Sequence, residues 1–321
     1  MYNWGIIGTG VIAREMAEAF KALDRKVYGV TSARFERAET FAKNYDIEHI
    51  YKDVTELLKD EAIDIVYIAT PHNLHYEQIK AALLQNKHVF CEKAITVNDR
   101  QLEECVSLAK ERGLILSDGV TLFHMPLYKK LQKIVASGEL GPVKMVQVNF
   151  GSCKEYDVTN RFFSKELAGG ALLDIGVYAT SFARYFMSSQ PNVVLTTGNF
   201  FETGVDETSG ILLKNPDGEM SVMALTMRAK QPKRGVVACE KAFIEINNYP
   251  RAQEATITYT ETGETITITE GETARALEYE ILDMEDYITN QSGEQNLQLV
   301  RDVMATLTSI RTQWGMVYPF E

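Results

Sequence analysis

Cysteine is scarce and scattered. Cys91, Cys105, Cys153 and Cys239 are the only four, and no Cys-x-x-Cys pair occurs among them. That spacing offers neither a disulfide framework nor a cysteine metal knuckle, and it implies reduced, mostly buried thiols of a cytoplasmic protein. Histidine is nearly as sparse. Of five, only His72 and His75 lie close together, with no further His or Cys beside them, so no metal site is expected. No window approaches the roughly 18–20 apolar residues of a membrane span. The opening Met1-Tyr2-Asn3-Trp4 lacks the basic start and apolar run of a signal peptide. Positive charge is short as well. A net charge of -11 argues against nucleic acid or an anionic membrane as the main partner. It is compatible with an anionic cofactor, which backbone amides and a few local arginines can hold. Internal repeats and low-complexity linkers are also absent.

What the chain does have is an even composition, 45% hydrophobic and 24% charged over 321 residues, which suits a globular protein of two domains. Its first motif comes at once. Tyr2-Asn3-Trp4-Gly5-Ile6-Ile7 runs into Gly8-x-Gly10-x-x-Ala13, and Ile12, Met16, Ala19 and Phe20 follow at helical spacing. A strand, a tight glycine turn and a helix N-terminus form the apparatus that holds a pyrophosphate. Gly8 permits the turn, Gly10 lets the backbone approach the phosphates, and Ala13 allows close helix–strand packing. Gly8, Thr9, Gly10, Val11 and Ile12 are therefore candidate cofactor-binding residues. With 21 glycines in the chain a Gly-x-Gly can arise by chance, so its surroundings decide.

Those surroundings repeat the pattern. Residues 26–31 read as a second strand and about 34–44 as a helix, with Ala38, Phe41 and Ala42 inward. NAD-binding units usually carry an Asp or Glu about 20 residues past the glycines. Here the second strand runs out through Ser32 and Arg34, with Arg37 one turn on. A carboxylate would repel a 2′-phosphate, whereas a hydroxyl and a forked guanidinium bind it. The reading favours NADP(H) over NAD(H). A short helix is expected over 53–60. Residues 63–69 form a nearly continuous apolar run, the mark of a strand covered on both faces, and end in Thr70, Pro71, His72 and Asn73. Residues 87–91 end in Glu92 and Lys93, before a helix that Asn98 caps with Gln101 in capping-box spacing. Residues 114–116 close the run. Strands alternating with helices imply a doubly wound parallel sheet over residues 1–120, a Rossmann α/β domain, with ligands at the carboxyl ends of its strands. Every candidate named so far sits at such an end.

Past residue 120 the rhythm changes. A helix is expected over 126–136, a strand over 143–150, and a helix with a glycine-rich start over 169–187. Turn signals at Asn215-Pro216-Asp217-Gly218 and Glu261-Thr262-Gly263-Glu264 stand between alternating apolar runs, and helices near 278–290 and 294–313 close the chain. Residues 121–321 read as an α+β domain on a largely antiparallel sheet. Phe123 and His124, just past the boundary, and Arg161, just before the glycine run, are candidate substrate contacts.

Four stretches together resemble the glucose–fructose oxidoreductase, inositol dehydrogenase and MocA-like oxidoreductase family. They are Gly8-x-Gly10-x-x-Ala13, Glu92-Lys93-Ala94, Gly169-Gly170-Ala171-Leu172-Leu173-Asp174-Ile175-Gly176-Val177-Tyr178, and Gly315-Met316-Val317-Tyr318-Pro319-Phe320-Glu321. The resemblance covers essentially the whole chain. It implies an NAD(P)-dependent dehydrogenase or reductase of a sugar, cyclic polyol or diol. Residues 121–321 are by that resemblance its substrate-binding domain, with an open-faced C-terminal sheet through which it assembles as a homodimer or homotetramer. Two departures are informative. The family's second motif usually reads Glu-Lys-Pro; with Ala94 in place of proline, the peptide after Lys93 is expected to be trans. At position 178 inositol-dehydrogenase-like members place a catalytic His. Tyr178 is similar instead to the branch containing dimeric dihydrodiol dehydrogenase and NADP-dependent D-xylose 1-dehydrogenase, in which a Tyr is the proposed acid/base and the motif lysine assists it. Asp174, four residues before Tyr178, is expected one turn away on the same helix face. Lys93, Asp174 and Tyr178 are thus the candidate catalytic residues, with either Lys93 or Tyr178 exchanging the proton. Free tyrosine titrates at about 10, so a tyrosine base needs an ammonium beside it. A second reading is a non-catalytic dinucleotide-binding sensor or regulator of the same fold, which has no need of such a proton relay.

Overall fold

All residues, 1–321, are described in the computed structural model, which divides into two units. The first comprises Met1–Gly119 with Leu277–Leu297, and the second Val120–Ala276 with Gln298–Glu321.

In the first unit, strands β1 (Trp4–Ile7), β2 (Gly29–Thr31), β3 (His49–Tyr51), β4 (Ile65–Ile68), β5 (His88–Cys91) and β6 (Leu116–Asp118) alternate with helices α1 (Val11–Ala22), α2 (Phe35–Tyr45), α3 (Val54–Lys59), α4 (His72–Leu84) and α5 (Asp99–Arg112). The sheet runs in the order β3-β2-β1-β4-β5-β6 with every pair parallel. The order reverses between β1 and β4, the place where such sheets open a ligand crevice. All four residues of β1 and of β4 are buried, as helices on both faces require. Caps act where the sequence placed them: the Gln101 amide donates to Asn98 Oδ1 at 2.8 Å, and α5 stops at Gly113 in the left-handed region. Strand β3 has no counterpart in the sequence reading, because three residues are too few to show a period.

The returning segment completes this unit. Helix α8 (Ala276–Asn290) buries Leu277, Ile281, Met284 and Ile288, at helical spacing, in one cluster with Trp4, Phe20, Val30 and Phe41. Its Glu285 accepts from the Trp4 indole N–H at 3.2 Å and pairs with Arg25 at 2.6 Å. A single division at residue 120 leaves this segment out, since hydrophobic spacing shows that a helix buries a face but not which core receives it.

The second unit begins with helix α6 (Pro126–Ala136) and is built on eight strands: β7 (Val143–Gly151), β8 (Val193–Phe200), β9 (Asp206–Lys214), β10 (Met220–Thr226), β11 (Gln231–Cys239), β12 (Ala242–Asn247), β13 (Glu254–Tyr259) and β14 (Thr265–Thr269). Their order is β14-β13-β12-β11-β7-β10-β9-β8, antiparallel except for the β7–β10 pair. Helix α7 (Val177–Phe186) and residues 298–314 of helix α9 (Glu294–Trp314) accompany the sheet. The register puts Leu213, Ser221, Val146, Val237, Ile244 and Ile257 in one fully buried row across six strands. The neighbouring row, Leu195, Leu212, Val222 and Gln147, stays partly or fully exposed. One face of this sheet is covered and the other is open. No helix of the chain is long and apolar enough to cross a membrane.

Candidate active site

Three residues turn the chain from β1 into α1. Gly8 sits at φ +110°, and a Cβ there would lie 2.6 Å from the Ala69 carbonyl oxygen and 2.9 Å from its carbon, both rigid backbone. Only glycine fits. Its amide donates to the Thr31 carbonyl at 2.9 Å, tying the turn to the end of β2. Gly10 is different. A Cβ there would meet nothing within 4 Å, and Gly10 caps α1 without any side-chain hydrogen bond. Open space beside the bare first amides of a helix fits a pyrophosphate. Thr9 donates from Oγ1 to Ser32 Oγ at 3.2 Å, which brings Ser32 against the glycine turn. Arg34, the N-cap of α2, and Arg37 are exposed and form no ion pair. Val11 is exposed at 65% and Ile12 half-buried at the mouth of the turn.

The ends of β4 and β5 are stitched together by two histidines of α4. His75 is fully buried; its Nε2 meets the Thr70 carbonyl and its Nδ1 the Ala94 carbonyl, both at 2.8 Å. His72 Nε2 meets the Lys93 carbonyl at 3.0 Å. The Lys93–Ala94 peptide is cis, where a non-proline residue predicts trans, and the imidazoles engage its own carbonyl and the one that follows. The spacing of His75 after Thr70 carries no sign of this role in the sequence. Thr70 donates from Oγ1 to Gln78 at 2.6 Å, Pro71 caps α4, and Asn73 keeps a buried Oδ1 without a hydrogen-bond partner. Glu92 turns its carboxylate to Tyr67, whose hydroxyl donates to it at 2.6 Å. Burial, then the Glu92 charge, pushes the Tyr67 hydroxyl well above its ordinary range. No group of His, Cys, Asp and Glu able to hold a metal is found in the structure.

In the second unit the glycine-rich start is not a plain helix. Leu172–Gly176 form a π-turn that leads into α7, so Asp174 lies inside a widened turn and Tyr178 on the regular helix just beyond it, rather than the two being one regular turn apart. A π-turn bonds residue i to i+5, which breaks the i,i+4 stacking that the spacing implies. Asp174 is 7% exposed, and Arg161 approaches it at 3.7 Å while its guanidinium lies over the Phe162 ring at 4.3 Å. Tyr178 is half-buried beside Phe150, ring centroids 6.1 Å apart. Phe123 stacks on Tyr185 at 5.9 Å within the core of this unit, and His124 is fully buried. Of the four cysteines three are buried and Cys153 is exposed; all are free thiols.

A family description reading "Oxidoreductase family, NAD-binding Rossmann fold" matches residues 2–120, and the GFO/IDH/MocA C-terminal domain matches residues 128–245. Trans-1,2-dihydrobenzene-1,2-diol dehydrogenase of Xenopus laevis is 32% identical over 251 residues, 77% of this chain and 76% of that protein. The chain belongs to the GFO/IDH/MocA oxidoreductase family. The pig enzyme of the same name is 34% identical over 248 residues, covering 76% of this chain and 73% of its own. Among solved structures, a 3-ketoreductase of Actinomadura kijaniata in complex with NADP and TDP-benzene aligns over 97% of both chains, with TM-score 0.85 at 21% identity. A UDP-N-acetylglucosamine 3-dehydrogenase of Acidithiobacillus ferrooxidans aligns over 97% of this chain and 96% of its own, with TM-score 0.81 at 18% identity. This GFO/IDH/MocA member is accordingly an NAD(P)-dependent oxidoreductase, and its Rossmann unit holds the dinucleotide.

Proposed function

We propose that this oxidoreductase transfers a hydride between NADP(H) and a CH–OH or carbonyl group of a sugar, cyclic polyol or diol. The observation that carries the reading is the stitching of four strand ends at one edge of the parallel sheet: Gly8 to Thr31, Thr9 to Ser32, His75 to Thr70 and Ala94, and His72 to Lys93. The nicotinamide supplies or accepts the hydride, and the protein must supply the matching proton at the substrate oxygen. In this proposal Tyr178 exchanges that proton, the Lys93 ammonium lowers the phenol's pKa toward working pH, and Asp174 orients the tyrosine's turn. Lys93 takes the proton itself if desolvation lowers it far enough. Arg161 would hold substrate from beside Asp174. The diol dehydrogenase relatives favour a hydroxyl-bearing carbon ring or chain as substrate. Monitoring reduced-cofactor absorbance with trans-1,2-dihydrobenzene-1,2-diol, D-xylose, D-glucose and myo-inositol tests this. Oxidation of at least one with NADP is expected; tight NADP binding with no turnover in any would turn the reading toward a sensor.

The NADP preference rests on Ser32 beside the glycine turn and on two arginines free of ion pairs. Ser32→Asp should weaken NADP binding by roughly 10-fold or more and shift the kcat/KM ratio toward NAD, through repulsion of the 2′-phosphate. Unchanged NADP affinity in that variant would place the 2′-phosphate elsewhere. We also infer a homodimer or homotetramer formed through the open face of the eight-stranded sheet. Its β10-β9-β8 end carries exposed Leu195 (59%) and Val222 (42%) in one row with half-buried Leu212.

A further inference from the structure

The closing Tyr318-Pro319-Phe320-Glu321 is one of the stretches that carry the family likeness, yet the proposed reaction gives it no task. Its contacts within the second unit give it one. The Tyr318 hydroxyl, 1% exposed, donates to the Gly169 carbonyl at 2.7 Å. The tail is locked behind that bond. Arg311 on α9, 3% exposed, forms a forked pair with Glu321 at 2.6 and 2.8 Å, lies over the Tyr318 ring at 4.6 Å and donates to the Met316 carbonyl at 3.3 Å. Glu321 in turn accepts from the Tyr318 amide at 2.7 Å. From the other side, Asp206 at the start of β9 is fully buried and accepts from the Leu172 amide at 2.7 Å. Its other oxygen abuts Gly170, at φ +112°, so closely that any Cβ there would collide with it. Two buried side chains of distant origin, Tyr318 and Asp206, therefore converge on residues 169–172, where the π-turn that carries Asp174 begins.

We propose that Asp206 and the tail 315–321 form a strap that fixes the turn at Gly169-Gly170 and so aims Asp174 and Tyr178. Asp206 and Tyr318 are positioning residues for the proton transfer and touch neither substrate nor cofactor. This rests on the reading of Tyr178 as acid/base. A catalytic group must be held within a fraction of an ångström of its productive place, and ordering the turn from which its helix starts is an efficient way to do so. The strap also titrates. Burial raises the Asp206 carboxyl to about 7, against the Leu172 and Ala171 amides and the Arg311 charge, which pull it down. The groups facing it are Arg311 from α9 and Tyr318 from the tail, with Glu321 neutralising Arg311 from the far side. Because burial makes the closed strap hold that proton more tightly than an opened turn would, the strap loosens as pH rises through about 7 and the carboxyl ionises.

The test uses the full-length protein and whichever compound of the diol and sugar panel the wild type oxidises fastest with NADP. Tyr318→Phe keeps the ring and loses one hydrogen bond; kcat is expected to fall roughly 10-fold while NADP affinity stays within about 2-fold. In the wild type the strap should contribute a fall in kcat through about pH 7, and Asp206→Asn, which cannot ionise, should remove that limb. Hydrogen–deuterium exchange over residues 171–178 should quicken in both variants, a readout that needs no substrate. Wild-type kcat, profile and exchange in both variants, alongside a Tyr178→Phe protein that has lost turnover, would overturn the strap and leave the acid/base reading standing. Full turnover in Tyr178→Phe would remove both.

Discussion

Tyr178→Phe is expected to bind NADP as the wild type does and to turn over roughly 10²–10⁴-fold more slowly, the usual worth of a positioned acid/base. Phenylalanine keeps the ring contact with Phe150, so the helix start is preserved and only the ionisable hydroxyl is lost. Lys93→Met should fall in the same range. It retains the backbone carbonyl that His72 engages and removes the ammonium. If Lys93 acts through the phenol, the double variant loses little more than either single one, because the second loss removes a group whose partner has already gone. Additive losses would mean two independent roles. The measurement is kcat with saturating NADP over pH 6–10, with cofactor fluorescence titrated in parallel. Wild-type rates in Tyr178→Phe would take the tyrosine out of the mechanism.

The second large effect separates the two glycines of the dinucleotide turn. Gly8→Ala places a methyl 2.6 Å from the Ala69 carbonyl oxygen at a backbone angle that L-residues avoid. The obstacle is backbone of the neighbouring strand's end, which cannot swing aside. A loss of about 2–4 kcal/mol is expected, read as a lower Tm of the cofactor-free protein. Gly10→Ala should lower that Tm by only a few degrees, because its methyl points into open space and only the preference for glycine over alanine at the helix cap is lost. The same space is what a pyrophosphate needs, so NADP affinity should drop roughly 10-fold or more. Equal NADP affinity in Gly10→Ala and wild type would show that the cofactor does not lie over this residue.

Much of this architecture is legible in the residues. The order of apolar runs and helical stripes dictates a parallel sheet, and the glycine turn, Ser32, Thr70 and Lys93 fall at its strand ends because such sheets expose loops there. What was not legible shares a physical cause: it depends on partners far away in sequence. Nothing in Gly169-Gly170 reveals that Asp206 and Tyr318 close on them, and nothing near His75 tells that it bridges Thr70 and Ala94. The π-turn before α7 was hidden for a different reason. Its sequence, Leu-Leu-Asp-Ile-Gly, satisfies ordinary helical spacing, and the extra residue is taken up locally without altering the hydrophobic stripe. Strands β8, β11 and β12 escaped because one of their faces is open and mixes polar with apolar residues, so alternation is blurred.

Helix α8 gives the Rossmann unit a late finish. The ribosome releases Trp4, Phe20 and Phe41 early, but the side chains that cover them, Leu277, Ile281, Met284 and Ile288, follow only after the entire β-rich unit has been made. During synthesis the nucleotide-binding half therefore waits with an apolar groove uncovered, while the later half can close its own sheet first. A chain cut after residue 120 would leave that groove open for good. Its exposed surface, rather than any missing catalytic group, would decide its fate in the cell.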